Sequence, residues 1–409
     1  MRRAAVTGIG IISALGRGRD ATLAAVRDSR VAIRRLTSID VAAHESKIGG
    51  EVSAEDLGSG HREYDRFVRL AMIAAAEAAE QALLGDASLD RTRIGTLIGT
   101  GLGGSETLDA AYERLYGRKL RPAPMTIPRA MYNAAASGVS AEQRALGPVY
   151  AIVSACASGA HAIGQASHWI RSGLADLVIA GGADAPLAPG IIRGWESLRV
   201  LAIDNDEPST ACRPFSADRK GLVLAEGAAV LILEELESAK RRGARILGEV
   251  VGAGMSSDAG HLTDPSVDGA ARAIAMALRD AAIDPAEIGY INAHGTATRA
   301  NDPAETAAIH RVFGPRAKRI PVSSTKAMHG HAMGASGAIE IALSLIALNE
   351  GVIPPTMNYR EPDAACDLDC VPNASRPGSV ELFLSNSFGF GGMNGVVALR
   401  TAVDPAANR

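Results

Sequence analysis

Residues 93–101 read Arg-Ile-Gly-Thr-Leu-Ile-Gly-Thr-Gly, a short apolar run that ends in glycines and predicts a buried β-strand. An alanine-rich stretch over 69–84 precedes it and predicts a helix. The same arrangement recurs where a helical stretch over 271–282 leads into residues 288–296, Ile-Gly-Tyr-Ile-Asn-Ala-His-Gly-Thr. We therefore expect the chain to contain two copies of one helix–strand unit.

Two further pairs of segments support a duplication. Residues 149–153 and 320–324 each predict a strand that breaks into a helix of small residues. Residues 6–13 (Val-Thr-Gly-Ile-Gly-Ile-Ile-Ser) also resemble residues 251–257 (Val-Gly-Ala-Gly-Met-Ser-Ser). Alternating strands and helices are typical of an α/β fold, and the matching order of the segments predicts a repeated unit.

The seam between the copies is marked by the charged, turn-prone sequence Lys-Arg-Arg-Gly, which falls within residues 240–250. We expect an N-terminal half over residues 1–245 and a C-terminal half over residues 246–409. Two such halves can pack their sheets around shared central helices. Loops from both halves would then meet at one pseudo-symmetric site.

Composition narrows the class of protein. A chain of 409 residues that is 47% hydrophobic can bury a large core, and its net charge of -3 argues against a general nucleic-acid-binding protein. No apolar run is long enough for a signal peptide or a membrane span, so we expect a cytoplasmic protein without a membrane partner. The cysteines lack a paired CxxC spacing, which favours free thiols over a disulfide framework or a zinc site; they are Cys156, Cys212, Cys366 and Cys370.

Cys156 lies where the strand predicted at 149–153 meets a helix that begins with Ala-Ser-Gly-Ala. We expect the sulfur to be exposed at the N-terminus of that helix, where free amides and the macrodipole favour the thiolate and lower the cysteine pKa. The same amides can hold an oxyanion. The sequence therefore predicts a nucleophile, and the alternative is a buried cysteine that serves only as a small apolar residue.

Two histidines follow predicted strands in the C-terminal half, His294 in Asn-Ala-His-Gly-Thr and His331 in Lys-Ala-Met-His-Gly-His. Neutral imidazoles can donate hydrogen bonds to an enolate formed by decarboxylation, and each such donor is worth about 3 kcal/mol. Lys326 is expected to set the local field, with Glu340 as its counter-charge. His329 fits a structural role. A structural role is also the alternative interpretation of His294 and His331, because a single histidine at the end of a strand is often structural.

Residues 384–395 read Leu-Ser-Asn-Ser-Phe-Gly-Phe-Gly-Gly-Met-Asn-Gly, with two phenylalanines among glycines. Glycines allow backbone amides to face a ligand, and a mobile Phe390 can close over the nucleophile. The alternative is a nucleotide-phosphate loop, but the Lys-Ser/Thr of a P-loop is missing. The early Gly8-Ile9-Gly10 likewise lacks the third glycine of a dinucleotide fingerprint.

Taken together, the motifs resemble those of the β-ketoacyl-acyl-carrier-protein synthase II family of the thiolase superfamily. The resemblance covers essentially the whole chain, in the order of the family. It is carried by residues 154–159 (Ser-Ala-Cys-Ala-Ser-Gly), 292–296 (Asn-Ala-His-Gly-Thr), 326–331 (Lys-Ala-Met-His-Gly-His) and 386–392 (Asn-Ser-Phe-Gly-Phe-Gly-Gly). Residues 212–221 and 351–362 are closest in character to nodulation-type and polyene ketosynthases, which make unusual polyunsaturated acyl chains.

This resemblance implies a thiolase fold, in which duplicated βαβαβ halves form a five-layer α-β-α-β-α arrangement, and a homodimer. It also implies an acyltransferase that works by a ping-pong reaction. An acyl group moves from acyl carrier protein to Cys156, and malonyl carrier protein then loses carbon dioxide and attacks the thioester. No metal or redox cofactor is implied, because the substrates are carried on the phosphopantetheine of acyl carrier protein.

The resemblance further assigns roles to individual residues. It implies an oxyanion hole made by the amides of Cys156 and Phe390, and a pantetheine tunnel lined by Thr296 and Thr298. Leu222 departs from the phenylalanine that the family often has, which affects how the malonyl carboxylate is packed. The implied catalytic residues are Cys156, His294, His331, Lys326 and Phe390, with Glu340 and Phe388 behind them.

Acyl carrier protein is acidic, so the resemblance also implies a basic docking surface. The candidates are Arg62, Arg66 and Arg69 on one predicted helix, together with Arg129. Solvated helix faces are the alternative explanation for these charges. Arg118, Lys119 and Arg121 extend the basic region in sequence.

Three related functions remain as alternatives. A coenzyme A-dependent thiolase would carry a second cysteine in the C-terminal loop, which here has Phe-Gly-Phe. A non-catalytic chain-length factor would lack Cys156. The catalytic subunit of a type II polyketide or polyene synthase, paired with such a factor as a heterodimer, has the same motifs as a homodimeric enzyme. Met125, Met131 and Tyr132 are candidates for the floor of the acyl pocket at the dimer interface.

Overall fold

The computed structural model describes residues 2–402, so the predicted end of the C-terminal half at 403–409 lies outside the described residues. An 11-stranded sheet runs through it, made of ten strands in one continuous order and one further strand, Gly16–Arg17, that pairs beside it. The ten strands are β1 (Ala4–Ser13), β2 (Ile94–Gly99), β3 (Val149–Ile152), β4 (Leu177–Asp184), β5 (Gly227–Glu235), β6 (Gly248–Ser257), β7 (Tyr290–Asn292), β8 (Val322–Ser323), β9 (Leu382–Gly389) and β10 (Met393–Thr401). Gly16–Arg17 pairs with β1.

The two halves of the sheet have the same topology. The strand order is β3-β2-β4-β5-β1 in the first half and β8-β7-β9-β10-β6 in the second. In both halves the first three strands of this order are parallel, the fourth pairs antiparallel with the third, and the fifth pairs antiparallel with the fourth. The halves meet where β1 pairs with β6. The predicted duplication is therefore confirmed.

Helices cover both outer faces and fill the space between the halves. The helices of eight residues or more are α1 (Arg19–Arg27), α2 (Arg66–Gln81), α3 (Ser105–Tyr112), α4 (Ala134–Gln143), α5 (Ser158–Ser172), α6 (Pro189–Ser197), α7 (Val267–Ala281), α8 (Asn301–Phe313) and α9 (Ser336–Leu348). In the centre, α5 packs against β2 and β4 of the first half and β6 and β10 of the second, and α9 lies beside it. One outer face carries α2 and α4, and the other carries α7 and α8.

The repeated glycines explain how closely the outer helices approach the sheet. A β-carbon on Gly10 in β1 would lie 1.9 Å from the carbonyl oxygen of Ala74 in α2. A β-carbon on Gly254 in β6 would lie 2.0 Å from the carbonyl oxygen of Ala273 in α7. Only glycine fits at such a contact, so the early glycine pair serves helix–sheet packing.

The predicted elements shift by a few residues at their ends. The helix expected at 69–84 begins earlier, because the Asp65 side chain caps it by accepting from the Phe67 amide. The strand expected at 320–324 is shorter, because the Ser324 amide leaves the ladder and donates to Thr356 Oγ1 at 3.0 Å. The chain then turns into the short helix Lys326–His329. Loops that follow β3, β7 and β8 thereby converge on the ends of α5 and α9.

Candidate active site

Cys156 lies in a tight turn between β3 and α5. Ala155 has φ of 50°, a left-handed conformation that turns the chain sharply before the cysteine. A β-carbon on Gly99 would approach the backbone of Ser158 to 2.4 Å, so the turn packs directly against β2. Cys156 is only 4% exposed and faces a cavity, whereas the other three cysteines are buried elsewhere in the core.

The expectation of a lowered thiol pKa at Cys156 is wrong for the resting protein. Burial raises the pKa of the Cys156 thiol to about 12, although the ammonium of Lys326 and the backbone amide of Phe390 act in the opposite direction. Helix α5 begins only at Ser158, and the sulfur is enclosed instead of exposed at the helix end. The thiol therefore needs a base to become a nucleophile.

His331 is placed to act as that base. Its Nε2 lies 3.1 Å from Cys156 Sγ, and its Nδ1 lies 2.8 Å from Ser336 Oγ. A serine hydroxyl can donate or accept, so it satisfies either tautomer of the imidazole. Burial, followed by the charge of Lys326, lowers the His331 pKa well below its usual value. The ring is neutral and can accept a proton.

His294 completes the group from the loop after β7. Its ring centroid is 5.5 Å from that of His331, and the two rings are nearly perpendicular at 83°. Burial and the Lys326 charge lower the His294 pKa well below its usual value as well. The structure thus brings two neutral imidazoles to the same side of the sulfur.

Lys326 fixes which nitrogen of His294 carries the proton. Its Nζ lies 3.5 Å from His294 Nδ1 and donates to the His294 carbonyl oxygen at 2.6 Å. An ammonium group can only donate, so Nδ1 is the acceptor and Nε2 carries the hydrogen. The third partner of Nζ is the buried carboxylate of Glu340, whose pKa burial raises to about 7. The predicted counter-charge is in contact with the lysine.

The same arrangement disfavours a metal ion. Ligand atoms of Cys156, His294 and His331 lie within 4.8 Å of one another, close enough to surround a cation. A metal-bound imidazole normally donates its other N–H to an acceptor. His294 Nδ1 instead faces the Lys326 donor at 3.5 Å, which does not suit a metal-bound imidazole.

Glu305 is a site residue that sequence reasoning missed. From α8 it accepts the amides of His294 and Gly295, each at 2.8 Å, and the side chain of Asn386 at 3.1 Å. Burial raises the pKa of this carboxyl group. It holds the His294 loop in place. The available signal was a glutamate on the buried face of this helix.

The glycine-rich loop closes the site between β9 and β10. The ring of Phe390 stacks on Trp195, with centroids 5.6 Å apart and planes at 23°. The ring of Phe388 meets His294 edge-on at 5.9 Å. A β-carbon on Gly389 would lie 2.9 Å from the Ser154 carbonyl oxygen, so glycine lets the loop reach the cysteine turn. Trp195 was not predicted, because nothing in its local sequence points to the loop.

Comparison with known proteins decides the family. A model described as "Beta-ketoacyl synthase, N-terminal domain" matches residues 1–239, and one described as "Beta-ketoacyl synthase, C-terminal domain" matches residues 247–360. The chain belongs to the β-ketoacyl synthase family. This membership confirms the predicted acyltransferase family.

Relatives and a solved structure agree along the whole length of the synthase. This chain is 45% identical over 407 residues to nodulation protein E of Rhizobium leguminosarum bv. trifolii, and the match covers 98% of this chain and 99% of that protein. It is 40% identical over 411 residues to 3-oxoacyl-[acyl-carrier-protein] synthase 2 of Coxiella burnetii (strain RSA 493 / Nine Mile phase I), with the same coverage of 98% and 99%. The structure titled "The ishigamide ketosynthase/chain length factor" matches with a TM-score of 0.93 at 35% identity, covering 98% of this chain and 99% of that one. The thiolase-type ketosynthase fold is thereby confirmed.

The cavity of the synthase opens from Cys156 past the predicted tunnel residues. Thr296 and Thr298 line it together with both histidines, and their hydroxyl groups are 3.0 Å apart. Leu222, at the position of the departure from the family pattern, is buried and lines the same cavity. His329 is buried away from it, with Nε2 3.3 Å from Thr325 Oγ1, which fits a structural role.

The predicted docking arginines line one cleft, but they differ in the hydrogen bonds and ion pairs that their guanidinium groups already form. We call it the arginine cleft; its basic lining is Arg34, Arg62, Arg66, Arg69, Arg114 and Arg129. The assignment of Arg66 has to be corrected, because its guanidinium forms two 2.6 Å hydrogen bonds with the buried carboxylate of Glu226. Arg69 donates to backbone carbonyls, and burial and the charges of Arg66 and Arg62 lower its pKa. Arg62 is exposed and has no hydrogen-bond partner within residues 2–402.

The candidates for the pocket floor are not next to Cys156 in one chain. Met125, Met131 and Tyr132 are about half exposed or more and lie outside the cavity lining. Tyr150 on β3, the edge strand of the sheet, is exposed as well. None of the helices within residues 2–402 combines the length and the apolar character needed to cross a bilayer.

Proposed function

We propose that the synthase condenses an acyl chain held on Cys156 with malonyl-acyl carrier protein, giving β-ketoacyl-acyl carrier protein and carbon dioxide. The observation that carries the proposal is the 3.1 Å contact between Cys156 Sγ and His331 Nε2, with the neutral ring of His294 beside it. A nucleophile with an adjacent base suits acyl transfer, and two N–H donors at one point suit an enolate oxygen.

In the first half-reaction, His331 takes the thiol proton and the Cys156 sulfur attacks the carbonyl of the incoming thioester. The amides of Cys156 and Phe390 hold the resulting oxyanion. The tetrahedral intermediate then expels the pantetheine thiolate, which receives the proton from His331. The acyl group is left on Cys156, and both histidines are neutral again.

In the second half-reaction, the carboxylate of malonyl carrier protein leaves as carbon dioxide and its electron pair forms an enolate. His294 donates to the enolate oxygen through Nε2, as the lysine at Nδ1 requires, and His331 donates from the other side. The enolate carbon attacks the Cys156 thioester. The intermediate expels the Cys156 thiolate, which takes up one proton from solvent, and the β-ketoacyl chain leaves on the carrier.

We place carrier-protein docking at the arginine cleft, with Arg62 and Arg69 as the available charges. The relative named 3-oxoacyl-[acyl-carrier-protein] synthase 2 supports such a partner. Substrates would arrive on the carrier's phosphopantetheine arm, with Thr296 and Thr298 along its path and no other cofactor. We place the reaction in the cytoplasm.

The exposed apolar residues at β3 support a dimer through that edge of the sheet. Tyr150 on this edge strand is 61% exposed and Val153, the residue after it, is 49% exposed. An edge strand with exposed apolar side chains normally needs a covering partner. A second copy is one candidate. A chain-length-factor-like paralogue is the other, because a ketosynthase named together with a chain length factor has the same fold at 35% identity. Native mass spectrometry of the protein expressed alone separates a homodimer from a subunit that needs a paralogue.

The pathway is proposed to be a specialised one. Several relatives at 42–45% identity are named nodulation protein E, against 40–42% for the first 3-oxoacyl synthases. Unusual polyunsaturated chains are therefore the substrates to test first.

The test is incubation with acyl carrier proteins that bear different chains, followed by malonyl carrier protein, with intact mass as the readout. The wild type is expected to gain the acyl mass on Cys156 and then to release a chain extended by two carbons. Cys156→Ala is expected to lose acyl transfer by about 10⁴-fold or more. Condensation by Cys156→Ala at a wild-type rate would refute the proposed function.

A further inference from the structure

His161 on α5 links two parts of the site that come from different halves of the molecule. Its Nδ1 lies 2.7 Å from Ser154 Oγ, in the turn that carries Cys156. Its Nε2 lies 3.1 Å from the carbonyl oxygen of Asn394, at the start of β10. A β-carbon on Gly395 would come within 2.9 Å of Nε2, so the imidazole packs directly on the strand.

The tautomer of His161 follows from these partners. A carbonyl oxygen can only accept, so Nε2 carries the hydrogen and Nδ1 accepts from the Ser154 hydroxyl. Burial lowers the His161 pKa, and the ring is neutral. A neutral imidazole with both nitrogens engaged is a rigid link of fixed length, unlike a charged group that exchanges partners.

From Asn394 the connection continues into the glycine-rich loop. The Asn394 side chain donates to Asp258 Oδ1 at 2.6 Å, and the Asp258 amide donates to the Gly392 carbonyl oxygen at 2.9 Å. Gly392 ends the loop that carries Phe390. One continuous set of hydrogen bonds therefore joins the cysteine turn to the loop.

We infer that His161 is a positioning residue that sets the distance between the two halves of the oxyanion hole. The inference rests on the proposed function, in which the amides of Cys156 and Phe390 hold the same oxyanion. These amides come from two separate segments, and only a connection between the segments keeps them aimed at one point. The decarboxylation site uses His294 and His331 and does not depend on this connection.

His161→Phe keeps the ring and removes both hydrogen bonds. We expect acyl transfer to Cys156, followed by intact mass, to slow by about 10²-fold, the usual effect of losing one oxyanion donor. Decarboxylation, measured as carbon dioxide release in a Cys156→Gln background, is expected to stay within about twofold, since its donors are untouched. His161→Gln can still donate to the Asn394 carbonyl and is expected to recover most of the transfer rate. His168→Phe, the same change further along α5, is the matched control and should change neither rate.

A purely structural role for His161 would lower both half-reactions by the same factor, and that result would overturn the inference. So would acyl transfer by His161→Phe at the wild-type rate. If His161→Phe does not fold, judged by its melting temperature, Ser154→Ala removes only the Nδ1 partner. It is then expected to slow acyl transfer about tenfold, again without affecting decarboxylation; unchanged transfer would overturn the inference.

A readout without turnover separates this inference from the proposed function. Trp195 stacks on Phe390, so its fluorescence in a Trp169→Phe background reports the position of the loop. His161→Phe is expected to shift the Trp195 emission relative to the same background with His161 intact. If the wild type is inactive toward carrier-bound chains but the emission shifts, the proposed function fails and the link stands. An unchanged emission overturns the link itself.

Discussion

The two halves of the synthase fold alike but carry different chemistry at equivalent positions. Between β3 and α5, the N-terminal half has a tight turn with one reactive group, Cys156. Between β8 and α9, the C-terminal half has a longer connection that carries Lys326 and His331. Because α5 and α9 pack side by side, both connections reach the same point. In the proposed function, duplication thus supplies two aligned positions, one for the nucleophile and one for the groups that move protons and stabilise charge.

In each half, a buried carboxylate also fixes a second loop near the site. This loop follows β2 in the first half and β7 in the second. Asp184 accepts the amides of Gly101 at 2.7 Å and Leu102 at 3.1 Å in the first half. Glu305 accepts the amides of His294 and Gly295, each at 2.8 Å, in the second. Asp184 ends a strand whereas Glu305 lies in a helix, so the same task is solved at positions that the repeat does not relate.

The buried ion pair is the largest difference between the two connections, and Lys326→Met is expected to have the largest effect. It leaves the fully buried Glu340 without its partner and should destabilise the protein by about 3–5 kcal/mol in urea unfolding. The double variant Lys326→Met/Glu340→Gln should recover a large part of the loss. If Lys326→Met were as stable as the wild type, the Lys326–Glu340 ion pair would contribute no measurable stability to this connection.

His294→Ala separates the two halves by activity. Removing one enolate donor should lower the rate of carbon dioxide release from malonyl carrier protein by about 10²–10³-fold. Acyl transfer to Cys156 should change little, because His331 still accepts the thiol proton. Equal losses in both half-reactions would contradict the division of labour between the halves.

Asp184 predicts a pH dependence that Asp184→Asn should remove. Burial raises the pKa of Asp184 from 3.8 to about 6, so the folded state favours the protonated form. The stability that this group contributes is fully present below pH 3.8 and is lost as the pH rises through about 6. The free energy of unfolding of the wild type, relative to Asp184→Asn, should therefore fall by about 2 kcal/mol between pH 4 and pH 7. A constant difference across this range would mean that the carboxyl group titrates normally.

The smallest effect is expected in the arginine cleft, which only the first half carries. Arg62→Glu should raise the KM for an acyl carrier protein about fivefold at low ionic strength and leave a short pantetheine thioester unaffected. Arg144→Glu, a change at an exposed arginine outside the cleft, is the matched control. An equal change in KM for both substrates would contradict carrier-protein docking at the arginine cleft.

The fold could be predicted from the sequence because each unit of the repeat is formed by residues that are close together in the chain. Each strand and its alanine-rich helix are adjacent in sequence, and glycines such as Gly10 and Gly254 mark the contacts between them. The positions of Cys156 and His294 followed for the same reason, since each comes shortly after a recognisable strand, and His331 lies in the connection that follows β8. Their residue types then indicated the chemistry.

What could not be predicted depends on contacts between distant residues. The raised pKa of Cys156 arises from the depth of its burial, which no local pattern reports. Arg66 looked available until the fold placed Glu226, far along the chain, against it. The partners of His161 lie far apart in the chain, in the turn that carries Cys156 and at the start of β10, so a histidine on an apolar helix carried no visible signal.

The central claim is that the nucleophile and the decarboxylation groups are separate contributions of the two halves, and Cys156→Gln tests it most directly. The glutamine removes the sulfur and leaves His294, His331 and Lys326 in place. Carbon dioxide release from malonyl carrier protein and condensation would be measured on the same sample by headspace analysis and intact mass. We predict that carbon dioxide release persists at the wild-type rate or above it while condensation is lost. Loss of both activities together would contradict the account.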